Sequence, residues 1–366
     1  MFKRRPFRTL NLIEVNKEAL MHNVRLYQSL RPDLSICPVL KSNAYGHGLT
    51  LVAKALDPMK LDFFIIDSLY EAFQLRDEKI KTPLLILGYT FPENFKKKLP
   101  FHFTAFDLES LELHSRMGHP IHIEVDTGMN RMGFGINELE EAITKAKGWD
   151  ANIVGLFSHF ATADEKDESY MHQQEEVFKK AIKIVHDKGF KPKWIHLGNS
   201  AGGLKSKIEE LNMMRLGVSL YGINPNEEGG PKDLKLAARV SSTLIEKRLI
   251  RKGDKVSYGC HFEAPKDMTI GVVPFGYYEG LDRGLSNKGS IEVNGATCPI
   301  IGRVCMNHTM IDISEVETSV GDQVVVYSDN EDSESNFHSQ SEKAGTIPYE
   351  LMVRLSEGVR RSTSDL

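Results

Sequence analysis

No stretch of this chain stays apolar for long enough to cross a membrane. Its basic start, MFKRRPFRTLNLIEVN, lacks the uninterrupted apolar core of a secretory signal. Cysteine is scarce: Cys37, Cys260, Cys298 and Cys305 are the four, and their spacing matches no metal-ligand pattern. Reduced thiols in a cytoplasmic protein are the expectation. The net charge is only -4, so no global basic field recruits nucleic acid. There is no low-complexity linker and no internal sequence repeat. What is present is 366 residues with 41% hydrophobic and 26% charged side chains, the balance of a soluble globular protein too long for one typical core. Two domains follow as the starting expectation.

The first two thirds alternate between strand-like and helix-like runs. Eight strands are expected at 34–40, 61–67, 83–88, 101–106, 120–126, 151–157, 193–197 and 212–215. Amphipathic segments separate most of them; in 168–188, Val177, Ala181, Ile184 and Val185 recur at helical spacing. Such repeated alternation predicts a (β/α)8 TIM-type barrel. The competing open doubly wound sheet loses ground because no dinucleotide-type glycine fingerprint follows the first strand. After about Pro231 the pattern turns to strands at 268–274, 290–293 and 323–327, with Asn294-Gly295 as a hairpin signal. A barrel domain over 1–237 and a mainly β domain over 238–366 are expected, with residues 8–15 as a strand open to pairing with the second domain. Residues 328–340 are polar and read as a surface loop.

In barrels the active site forms at the C-terminal ends of the strands. Lys41 ends the first strand, and 42–48 reads as a turn. Asp126 to Arg131 follows the fifth, Ser158-His159 ends the sixth, Asn199-Ser200 follows the seventh, and Arg215-Leu216-Gly217 ends the eighth. Singly, each has a plain structural explanation: a solvated lysine, a satisfied histidine, surface arginines, a helix-capping serine. Together, at matching strand ends, they favour a site. A Gly/Ser-rich turn opening a helix offers N–H groups to a phosphate. A lysine amine, a phosphate cradle and arginines suit a Schiff base to a phosphorylated aldehyde cofactor.

The segment LKSNAYGHG resembles the pyridoxal 5′-phosphate lysine motif of alanine racemases. VDTGMNRMG, SHFATAD, NSA, MRLGVSLYGINP, VSYG, GYYEGLDRG, GRVCMNHTMIDI and YELM follow in family order, so the resemblance spans nearly the whole chain. It implies a cofactor-binding barrel followed by a β domain. It implies Lys41 as the cofactor lysine and the base on one face of the substrate, with Tyr258 as the base on the other. A free phenol titrates near 10 and needs help to act as a base at neutral pH; the resemblance makes His159 and Arg215 that relay. Arg215 would face the pyridine nitrogen, where a guanidinium does not give up its proton. Tyr45, Asn199, Ser200, Gly217, Val218 and Tyr349 match cofactor-binding positions, most of them facing the phosphate. Arg131 and Met306 match the substrate carboxylate site, and Tyr277 and Asn307 lie at its entrance. The family is a head-to-tail homodimer in which Tyr258 and Met306 serve the partner's site.

Four positions depart from the family pattern. Glu124, seven residues before Arg131, stands where the family often has a lysine that can be carbamylated. A carboxylate there is expected to orient Arg131 without carbon dioxide. Asn307 replaces a usual aspartate, Leu216 a proline and Cys260 an arginine. The expected activity is interconversion of L- and D-alanine for peptidoglycan. The alternatives are a racemase of serine or broader specificity, a barrel decarboxylase using Cys305, a cofactor-free Schiff-base barrel, and a non-enzymatic pyridoxal-phosphate homeostasis protein. The last class usually stops after the barrel, and this chain does not.

Overall fold

The computed structural model describes residues 8–226 and 230–364. The basic first seven residues, residues 227–229 just before the change of pattern near Pro231, and residues 365–366 lie outside the described residues. The chain forms two compact units.

The first unit comprises Leu20–Ser42 and Ala53–Leu234. The N-terminal strand β1 (Leu12–Asn16) belongs to the other unit; eight parallel strands build this one. They are β2 (Ser35–Pro38), β3 (Phe64–Ile66), β4 (Leu84–Ile86), β5 (His102–Ala105), β6 (Ile121–Glu124), β7 (Ile153–Phe157), β8 (Trp194–His196) and β9 (Met213–Leu216). Each falls inside or within one residue of an expected run. β3 to β8 pair in sequence order, and β2 pairs with β9. Two seams close the ring. Leu40 N–H donates to the Ile65 carbonyl at 2.7 Å on one side, and Asn212 and Arg215 donate to Ile195 and Gly198 carbonyls at 3.1 and 3.0 Å on the other. The strands are short and mostly apolar because both faces are covered. The helices start where local chemistry starts them: Ser68 caps Leu69–Asp77 in a reciprocal box with Glu71, and Asp107 caps Leu108–Arg116 with Ser110.

The second unit gathers the described residues up to Ala19, Asn43–Val52 and everything from Lys235. A single cut near residue 237 therefore does not separate the two. The reason lies in β1, which buries Ile13 and Val15 in a six-stranded sheet, antiparallel to Ala238–Thr243 and parallel to Arg360–Ser364. The lysine-motif turn is drawn in because Arg361 Nε donates to the Gly46 carbonyl at 2.8 Å. A second sheet holds Glu246–Ile250, Met268–Val273 and Thr309–Asp312. Asn294 and Gly295 both take positive φ, as the two-residue turn between Ser290–Val293 and Ala296–Pro299 requires.

The expected surface loop at 328–340 is corrected. Residues 337–344 form a helix capped by Asn336, whose side chain accepts from Ser339 N–H. Phe337 is buried and stacks on Tyr327 at 4.4 Å, while Gln340 donates to the Ser290 carbonyl. Polar residues are buried here because each finds a hydrogen-bond partner.

Candidate active site

Lys41 directly follows the closing segment of β2. The next four residues, Ser42 to Tyr45, all take left-handed φ between 50° and 56°. Such a turn is costly for L residues and is tied at both ends. Glu71 Oε1 accepts from Ser42 N–H at 2.8 Å, and its Oε2 accepts from Asp67 and Ser68 N–H at 2.8 and 3.1 Å. Asn43 takes Gly48 N–H on its carbonyl at 2.9 Å and Leu49 N–H on its side chain at 2.8 Å.

Arg215, on β9, is buried in the barrel. Its Nη1 donates to His196 Nδ1 at 2.8 Å and to the His196 carbonyl at 3.3 Å. Its Nη2 donates to the Ser158 carbonyl at 2.7 Å, His159 Nδ1 at 2.9 Å and the Leu197 carbonyl at 3.1 Å. None of these five bonds uses the Nε–H edge. Burial pulls its pKa down to about 10, against the opposing pull of Glu124, so it stays charged at neutral pH. Because guanidinium only donates, His159 must accept at Nδ1 and carry its proton at Nε2. Burial first, then the charges of Arg215, Arg131 and Lys41, hold His159 neutral.

Glu124 ends β6 and is buried. Burial raises its pKa, while Arg131, Arg215 and Lys41 pull it back toward ionisation. Its carboxylate thus belongs to the same charge cluster. The loop carrying Arg131 is shaped by Asp126, which accepts from Gly128 and Asn130 N–H at 2.9 and 3.0 Å. Gly133 lets it return: a Cβ there would sit 2.7 Å from Asp126 N.

The cradle after β8 is built on Ser200. Its buried hydroxyl accepts from Gly217 N–H at 3.0 Å and Ser219 N–H at 3.4 Å, leaving its own proton as the donor it can offer. Asn199 accepts from Gly202 N–H at 2.8 Å, and Tyr27 donates to the Ser200 carbonyl at 3.1 Å. Val218 opens the tight turn Val218–Tyr221. Lys41, Glu124, Arg131, His159, Asn199, Ser200, Arg215, Gly217 and Val218 all lie in the barrel unit.

The remaining candidates lie in the second unit. Tyr45 and Tyr349 are carried by neighbouring segments, since a Cβ on Gly46 would meet the Met352 carbonyl of helix Pro348–Val353 at 2.0 Å. Burial pushes the Tyr45 phenol up to about 12. Tyr258 is 72% exposed on a turn where Ser257, Gly259 and Cys260 all have positive φ. Ser257 Oγ donates to the Arg303 carbonyl at 2.7 Å and lies 3.4 Å from Cys305 Sγ, which ties this turn to the segment bearing Met306. Tyr277 N–H donates to the Cys305 carbonyl at 3.0 Å. Tyr258, Tyr277 and Met306 are all exposed. Asn307 donates to buried Glu279 at 2.8 Å.

Sequence reasoning passed over four supporting residues. His196 and His122 look like core positions of strands; Glu71 looks like a helix cap. Gln174 sits on the apolar stripe of helix Ser169–Asp187 and donates to Thr127 Oγ1 at 3.2 Å and the His159 carbonyl at 2.9 Å. A polar residue on a buried stripe was the signal for it.

Comparison with known proteins agrees along the whole chain. Sequence models of the alanine racemase N-terminal and C-terminal domains match residues 15–225 and 237–363. "Alanine racemase 2" of Caldanaerobacter subterraneus is 37% identical, with 95% of this chain and 93% of that protein covered. The crystal structure of alanine racemase from E. faecalis superposes with a TM-score of 0.88 at 31% identity, covering 97% of this chain and 98% of that one. That of the D-cycloserine-producing Streptomyces lavendulae gives 0.91 at 26%, covering 99% and 98%. With a buried arginine, a strand-end lysine and a serine-centred cradle on this barrel, and both family domains matched in order, the chain belongs to the alanine racemase family.

Proposed function

We propose that this chain interconverts L- and D-alanine with pyridoxal 5′-phosphate, as a cytoplasmic homodimer supplying D-alanine for peptidoglycan. The observation that carries the reading is Arg215: a buried guanidinium whose two Nη groups are anchored on carbonyls and neutral imidazoles, in one charge cluster with Lys41, Glu124 and Arg131. The donor set fits the cofactor. Lys41 offers an amine for its aldehyde, the Ser200–Gly217–Val218 cradle offers donors for its phosphate, and Arg215 offers an N–H edge for its ring nitrogen; Tyr45 and Tyr349 of the second unit are assigned to the cofactor on the family resemblance alone. When bound, the cofactor supplies an electron sink that acidifies the α-hydrogen of the substrate.

The chain's own residues do the rest. Lys41 would hold the cofactor through its amine and would move the proton on one face of the substrate. The partner subunit's Tyr258 moves it on the other; its exposure in the single chain leaves it available to that task. Neutral His159, with its Nε2–H directed away from Arg215, carries the polarity of the arginine toward that phenol. Arg215 would keep its own proton when facing the cofactor's ring nitrogen, and would hold that nitrogen by donation alone. Arg131, countered by Glu124, and Met306 from the partner bind the substrate carboxylate, with Tyr277 and Asn307 at the entrance.

The test is incubation of the purified protein with L-alanine in heavy water, with L-serine and a basic amino acid in parallel. α-Proton loss with D-alanine formation supports the reading and ranks the substrates. No exchange from any of them, in protein shown to carry the cofactor, would overturn it in favour of a decarboxylase or a carrier.

A further inference from the structure

Arg215 does not end at His196. His196 Nε2 lies 3.0 Å from His122 Nδ1, and His122 Nε2 lies 3.1 Å from His102 Nδ1. The four side chains come from β9, β8, β6 and β5, and they run from the buried guanidinium to a half-buried ring. The direction of every bond follows from the first. Guanidinium has no acceptor, so His196 Nδ1 accepts and its proton sits on Nε2. His122 Nδ1 must then accept, and its own proton sits on Nε2 in turn. His102 Nδ1 accepts last, and its Nε2–H ends the row. Burial and the nearby arginine keep His196 and His122 neutral, as the row requires. At the outer end burial first, and then the Lys193 charge, disfavours a proton on His102.

The backbone is shaped around this row. β7 runs between the strands of His122 and His196, and its residue at the crossing is Gly155. A Cβ on Gly155 would lie 2.1 Å from His122 Nδ1, the atom that accepts from His196. Phe63 packs edge-on against His102 and His122, with ring centroids 4.7 and 5.7 Å away, and Phe157 stacks on His196 at 4.8 Å. Imidazoles kept only to fill space would need neither a glycine at the crossing nor consistent polarity.

We propose that His122 and His102 are positioning residues for Arg215: through His196 they fix one orientation and one charge state of its guanidinium from within the barrel core. The polarity of the row rests on the structure alone; its catalytic effect rests on the racemase reading above.

The experiment uses the purified enzyme labelled with 15N-imidazole histidine, with ring tautomers read from two-bond 1H–15N correlations and peaks assigned by single substitutions. His196, His122 and His102 are expected as the Nε2–H tautomer. His122→Phe should give His196 mixed tautomers and lower kcat about tenfold, while KM for alanine changes less than about twofold. His122→Gln, an amide that can accept and donate in the same direction, should recover most of both. His102→Phe, at the half-buried end, provides the same comparison should His122→Phe fail to fold. A wild-type His196 in the Nδ1–H form overturns the proposal, as does His122→Phe with unchanged tautomers and unchanged kcat. Intact tautomers in a wild-type protein that does not racemise alanine support the row and overturn the functional reading instead.

Discussion

Acid should unfold this protein by way of its histidines, and the number of protons involved can be worked out. Of 13 histidines, seven are held neutral by burial: His47, His102, His114, His119, His122, His159 and His196. Their folded pKa values lie below the unfolded value of about 6.5, so the unfolded chain binds more protons. Stability is full above that value and is lost as pH falls from it toward the folded pKa. His47, fully buried, is lowered to about 4. At pH 5.5 it would bind about 0.9 proton unfolded and almost none folded, a loss of about 1.4 kcal/mol. The groups lowered about this far, His47, His102, His114 and His119, give an uptake of about 3.5 protons on unfolding, to which His122, His159 and His196 add in the same direction, and a combined loss of about 5 kcal/mol or more that competes with a typical domain's whole stability. Unfolding in guanidinium under pH-stat at pH 5.5 and at pH 7.5 measures this directly. Uptake of several more protons at the lower pH, with an earlier midpoint, is expected. Uptake of fewer than about two would refute the assignment of neutral buried rings.

Other perturbations test the site more locally. Lys41→Ala should purify folded but without the yellow colour of a lysine-bound cofactor, and should show no α-proton exchange; retained racemisation would remove the lysine from the chemistry. Tyr258→Phe should lower turnover by at least about a hundredfold while cofactor absorbance persists, and should make deuterium wash-in from the two enantiomers unequal; an unchanged rate from both would exclude the phenol. Wild-type activity should be indifferent to removal of bicarbonate, because Glu124 brings its own carboxyl group to this position, where the charges of Arg131, Arg215 and Lys41 oppose the upward pull of burial on its pKa. Glu124→Lys should make activity depend on added bicarbonate, and activity equal with and without it would show that Arg131 needs no anion at this position.

The eight barrel strands were legible because a strand covered on both faces is a short, mostly apolar run with a polar residue at its end, and those ends carry the candidate site residues. The row from Arg215 to His102 was not legible. His122 and His196 are 74 residues apart, and each looks alone like an ordinary core histidine; only strand neighbourhood and register bring the rings together. The same holds for residues 328–340, where composition reads as solvent-exposed but Asn336, Phe337 and Gln340 are buried by pairing that composition does not show. Glu124 was legible by position alone. Alternation along β6 allowed it to point away; burial raises its pKa, and the charges of Arg131, Arg215 and Lys41 oppose that. The units departed from a linear division because β1 and the lysine turn are fixed by partners near the chain's far end, Arg360–Ser364 and Arg361.

The turn after Lys41 joins these arguments. Sequence predicts a turn there, since Ser, Asn and Gly favour one; it does not predict four L residues in succession at left-handed φ. Each costs about 1–2 kcal/mol relative to right-handed backbone, and such strain persists only where its surroundings over-determine it. Glu71 supplies that on one side: one carboxylate receives Ser42 N–H together with the first N–H groups of the next helix entry, Asp67 and Ser68. Asn43 supplies it on the other by closing onto Gly48 and Leu49. The backbone of Lys41 is thereby fixed from strand and turn alike. Its flexible four-carbon stem keeps the freedom. The role proposed for Lys41, holding a carbonyl carbon and carrying a proton from the same position, calls for a fixed base and a mobile tip, and the strained turn provides the first without restricting the second.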